Sequence, residues 1–169
     1  LARGLLMEHA ATNLLLQSED FSTTWANGGT DNITVSTDTA DTTDPMGTNR
    51  AEKLTEPAAG ASTKFLTQSV TKAGSKYGYS YSLYAKKGTS DRIGLNLQSG
   101  TAGNHYGVEF NLTAGYGVES HSPYGTYSIG WYNMYPVGNG WYRCAVYVLS
   151  DTNTTIKPQI MMLDSAADT

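Results

Sequence analysis

Gly138-Asn139-Gly140-Trp141-Tyr142-Arg143-Cys144-Ala145-Val146-Tyr147-Val148 runs from a tight turn straight into an alternating strand. Successive side chains of a strand point to opposite faces. Tyr142, Cys144, Val146 and Val148 therefore share the face that makes the better core. Trp141, Arg143, Ala145 and Tyr147 share the outer, groove-facing one. Cys144 is the only cysteine, so no internal disulfide can form. Its apolar strand neighbours predict a buried side chain rather than a reactive thiol.

The same period of two recurs along the chain. Residues 76–86 place Tyr79, Tyr81, Leu83 and Ala85 on one face and Ser80, Ser82, Tyr84 and Lys86 on the other. Further strands are expected at 4–7, 13–16, 33–37, 50–55, 63–71, 92–98, 106–112, 126–135, 141–150 and 155–163, mostly between turn-forming Gly, Asn, Ser and Thr. These outnumber what one open sheet holds comfortably, and no window of ten residues carries an apolar stripe at helical spacing. An all-β fold of two packed antiparallel sheets follows. Pro158 cannot donate to a ladder, which predicts an edge position for the last strand or a shift of its start. Residues 37–43, rich in Thr and Asp, read as a solvated loop.

With 169 residues the chain suits one domain, able to bury roughly 70% of its unfolded surface. A net charge of −4 offers no basic footprint for nucleic acid or anionic lipid. Leu14-Leu15-Leu16 is far too short to cross a bilayer, and no signal-peptide layout precedes it. The first residue, Leu rather than Met, suggests a piece of a longer protein. Asn-x-Thr sequons at Asn32, Asn111 and Asn153 are expected by chance in so Thr-rich a chain.

Three phrases occur in order: residues 13–21 ending at Trp25; Asp44-Pro45-Met46-Gly47-Thr48 leading into Ala51-Glu52-Lys53-Leu54-Thr55; and Gly138-Asn139-Gly140-Trp141-Tyr142-Arg143-Cys144. Together they resemble the jelly-roll modules of bacteriophage virion and tail-fibre proteins, distant relatives of carbohydrate-binding modules. The resemblance implies a jelly-roll β-sandwich over 13–169, with 1–12 as a connecting β segment. It also implies a final Gly/Tyr/Trp-rich strand, absent here, so the fold would lack or borrow one edge strand. Such modules are extracellular parts of a virion and assemble as homo-oligomers, commonly trimers, with other virion proteins. A structural calcium held by Glu19 or Asp20 belongs to the same resemblance, and carboxylates are the hard oxygen donors that ion takes.

Catalytic chemistry finds little support. His9, His105 and His121 lack metal-ligand spacing. Glu109 and Glu119 are not placed face to face by anything in the sequence, and no nucleophile elbow or phosphate-binding loop occurs. The chain reads as non-enzymatic. Its distinctive resource is 12 Tyr and 3 Trp against 3 Phe. Tyr and Trp join a flat apolar face to a hydrogen-bonding tip, which suits stacking on a sugar ring. The expected glycan contacts are Trp131, Tyr135 and Tyr84, with Tyr127, Trp141, Arg143 and Tyr147 as further candidates. Three functions fit: a virion fibre or head-decoration module that touches a host-surface glycan, a secreted carbohydrate-binding module attached to a polysaccharide-degrading enzyme, or a spacer with no ligand.

Overall fold

Alternation becomes strand almost everywhere it occurs. The computed structural model describes residues 12–16, 20–29, 32–36, 43–56, 64–101, 103–121, 127 and 129–163, with backbone alone at 119–121 and 129. Among these residues there is no helix. The strands are β1 (Ala26–Gly29), β2 (Thr34–Ser36), β3 (Lys53–Thr55), β4 (Lys64–Thr67), β5 (Val70–Thr71), β6 (Gly78–Lys86), β7 (Arg92–Ser99), β8 (His105–Asn111), β9 (Tyr116–His121), β10 (Ile129–Gly138), β11 (Trp141–Leu149) and β12 (Thr155–Met162). Every pairing is antiparallel. One sheet runs β1-β4-β12-β7-β8-β9, with β5 also on β12; a second runs β10-β11-β6; β2 and β3 pair alone.

The two larger sheets face each other across an apolar core. Ile93, Leu95 and Leu97 of β7, Tyr106, Val108 and Phe110 of β8, and Ile156 and Ile160 of β12 meet Tyr81 and Ala85 of β6 and Cys144, Val146 and Val148 of β11. Each fully buried side chain of this size contributes about 1.5–3 kcal/mol. Cys144 lies where its alternation puts it, and burial pushes its thiol up to about 12. The chain is thus an all-β antiparallel sandwich.

The three phrases act as latches between distant segments. Phe21 N–H donates to Glu52 Oε2 at 2.7 Å, and Phe21 meets Trp25 edge-on, which in turn stacks on Tyr81. Asp44 closes its own loop by accepting from the N–H groups of Met46 and Thr48. Trp141 donates its indole N–H to the Thr43 carbonyl at 2.8 Å. The β10–β11 turn has Gly138, Asn139 and Gly140 all at positive φ, the left-handed backbone a tight hairpin of this kind requires.

Several expectations need correction. Residues 13–16 form no strand, because the Gln68 side-chain amide brackets Leu16, accepting from its N–H and donating to its carbonyl as a neighbouring strand would. Pro158 is not at an edge: β12 lies between β7 on one side and β4 and β5 on the other. The register that pairs Gln159 with Thr67 and Ile156 with Val70 runs on in step past it. The expected 63–71 strand breaks into β4 and β5 opposite Pro158, where Gln68 N–H still donates to the Pro158 carbonyl but no return bond can form. The expected 126–135 strand starts at Ile129 and reaches Gly138. Strands β1 and β9 were not anticipated, and the expected 4–7 strand lies outside the described residues.

Where β11 passes into β12, a polar cluster is buried. Asp151 Oδ2 accepts from Ser99 Oγ at 2.6 Å and Asn104 Nδ2 at 2.9 Å, and Oδ1 accepts from Asn153 N–H at 3.0 Å. Lys72 Nζ donates to the Asp151 and Ala73 carbonyls and lies 3.9 Å from Oδ1. Burial opposes the Asp151 charge, but the hydrogen bonds and Lys72 outweigh it and hold the carboxyl below the usual range. Burial lowers Lys72 in turn, partly offset by Asp151.

Candidate binding face

The turn at Asn139-Gly140 fixes the register of β10 on β11, and β6 extends it, so the outer side chains form three cross-strand rows. Trp131 pairs with Tyr147 and Tyr147 with Ser80; Asn133 pairs with Ala145 and Ala145 with Ser82; Tyr135 pairs with Arg143 and Arg143 with Tyr84. At ~3.3 Å rise per residue the two aromatic rows stand ~13 Å apart. Between them lies a shallow open groove of about 350 Å³, lined by Ser80, Trp131, Asn133, Tyr135, Arg143 and Tyr147 with Ala145 and Val146 beneath.

At one end Trp131 and Tyr147 stack face to face, with ring centroids 4.0 Å apart and planes 11° from parallel. Tyr147 lies flat over β6 because Gly78 has no side chain: a Cβ there would be 2.0 Å from the Tyr147 hydroxyl. At the other end Arg143 projects between Tyr135 and Tyr84, its nearest hydrogen-bond acceptor being Ser82 Oγ at 3.4 Å. Trp131, Tyr135 and Tyr84 are each about half exposed, which is unusual for rings of this size in a sheet.

Trp131, Tyr135, Arg143 and Tyr147 therefore converge on one groove, with Tyr84 beside Arg143 at its rim. Two other candidates lie elsewhere. Trp141 is 8% exposed and held to the Thr43 loop. Tyr127 is 3% exposed and part of the core, and burial raises its phenol well above the ordinary value. It precedes the first residue of β10, so the alternation that carries Trp131 and Tyr135 outward does not reach it. Asn133, Ser80 and Ser82 were not singled out, although Asn133 has the same parity as Trp131 and Tyr135 and the two serines share the face of Tyr84.

Two of the carboxylates weighed for other chemistry, Asp20 and Glu109, have partners within the chain. Asp20 accepts from the Ser22 N–H and hydroxyl and from the Thr23 hydroxyl, and the Ser22 bonds lead in holding its carboxyl low. Glu19 lies outside the described residues, and among those described no group of three His, Cys, Asp or Glu side chains is gathered as metal ligands would be. Glu109 pairs with Arg92 on the outer face of the larger sheet. No protein-family model matches the chain, and no curated protein is detectably similar to it.

Proposed function

We propose that this chain is a non-enzymatic recognition module whose β10-β11-β6 face binds carbohydrate. The observation that carries the reading is the open groove with half-exposed aromatic rings at both ends and Ser80, Asn133 and Ala145 between them. Aromatic faces pack against the C–H face of a pyranose, while tyrosine hydroxyls, Ser80 and Asn133 answer its hydroxyl groups. A shallow trough of this length suits several linked sugar rings rather than one enclosed molecule. The jelly-roll identity of the sandwich and its setting in a phage fibre or head-decoration protein rest on the three phrases. In that setting the module assembles with copies of itself, as a trimer, and meets a host-surface glycan. Attachment to a polysaccharide-degrading enzyme would use the same face.

A panel of soluble polysaccharides, scored by retardation of the protein in affinity electrophoresis, tests the reading. At least one should retard the protein, and Trp131→Ala should abolish the retardation without unfolding the chain. If no polysaccharide binds while Trp131→Ala and Tyr135→Ala change the mass in solution, the face is a subunit interface and the reading fails.

A further inference from the structure

Resting on that reading, we infer that the sugar chain this face takes is acidic, and that Arg143 selects it by pairing with a sugar carboxylate. Among the described groove residues Arg143 is the one ionic side chain, in a chain whose net charge is −4. Three other cations, Lys64, Lys72 and Arg92, lie against Glu56, Asp151 and Glu109 and so are not open in the same way. Arg143 has only the long contact to Ser82 Oγ. An arginine fork left open beside a trough is a preformed site for a planar oxyanion, since guanidinium and carboxylate match as a two-bond pair.

Its placement adds to the case. Tyr135 and Tyr84 are its cross-strand neighbours on either side, with Cβ separations of ~5 Å expected for such pairs. All three side chains are exposed, so the guanidinium is open to an incoming oxyanion with a tyrosine on each side. The Trp131–Tyr147 stack, ~13 Å away, is an uncharged platform for a ring further along the same chain. A ligand spanning both ends therefore needs a carboxylate at one sugar and an apolar ring face at another. A uronic-acid oligosaccharide has both.

The test compares an oligouronate of about six residues with the same oligosaccharide after its carboxyls are reduced to primary alcohols, by isothermal titration at two salt concentrations. The protein should bind the oligouronate about tenfold more tightly, and the preference should shrink at high salt. Arg143→Gln should erase the preference and Arg143→Lys should keep part of it. Lys157→Gln, which removes the same charge from the other sheet, should leave the preference intact. Equal binding of both sugars, lost in Trp131→Ala, overturns the inference and leaves the glycan reading standing. Binding of neither sugar, with Arg143→Gln altering self-association, overturns both.

Discussion

The sandwich has two outward sheet faces, and they are finished differently. On the larger sheet the polar groups answer one another: Arg92 pairs with Glu109, Asn96 Nδ2 donates to Gln159 Oε1 at 2.6 Å, and Gln159 Nε2 donates to Gln98 Oε1 at 3.2 Å. On the three-stranded sheet the rings stand half exposed and Arg143 reaches no carboxylate. Both faces come from strands of the same period. What separates them is whether the polar side chains bond to one another, although even on the larger sheet Asn96 Oδ1 and Arg92 Nε have no partner. A face whose groups bond to one another contributes to stability, and one whose groups do not is available to a partner.

If so, substitutions among the mutually bonded groups move stability, and those on the aromatic face move binding. The largest stability effect belongs to the Asp151 cluster. Asp151→Ala removes the carboxylate that accepts from Ser99 and Asn104 and faces Lys72. It should cost about 3 kcal/mol, roughly 10 °C in Tm for a chain of this size, with sugar binding at 25 °C unchanged. Because the folded Asp151 carboxyl lies below its ordinary value of 3.8, the stability it provides is complete above that value and is lost as pH falls through the folded pKa. Melting curves between pH 7 and pH 2 should show an acid-side drop that is shallower in Asp151→Asn. Next comes Gln159→Ala, which leaves the buried Asn96 amide without its acceptor and should cost about 2 kcal/mol in urea unfolding.

The contrast between the faces was half legible in the sequence. The aromatic face could be read because it depends on local rules alone: a turn whose residues demand positive φ fixes the register, and strict alternation then assigns each side chain to a face. Tyr84, Trp131, Tyr135, Arg143 and Tyr147 all follow from that. Trp141 has the outward parity but is covered by the Thr43 loop, a contact across 98 residues that no local pattern encodes. Tyr127 shares the parity of Trp131 and Tyr135 but precedes the strand that generates the alternation. The bracketing of Leu16 by Gln68 and the passage of Pro158 through the middle of a sheet depend on which strands become neighbours, and that is settled by the packed core.

On the aromatic face the effects on stability should be small and those on binding larger. Trp131→Ala removes one partner of the Trp131–Tyr147 stack at an exposed site, which should cost about 1 kcal/mol of stability. Affinity for any bound glycan should fall at least tenfold in the same titration, and an equal loss in both quantities would show that the stack supports the fold rather than a ligand. Gly78→Ala changes no groove residue at all. Its new Cβ would meet the Tyr147 hydroxyl, the far end of a side chain that can swing aside, so the chain should fold with under about 1 kcal/mol lost. Moving Tyr147 unstacks Trp131, however, so the variant should lose affinity several-fold and show altered tryptophan fluorescence. Unchanged fluorescence and affinity in Gly78→Ala would mean that the two rings need no exact seat, and that the glycine is there for another reason.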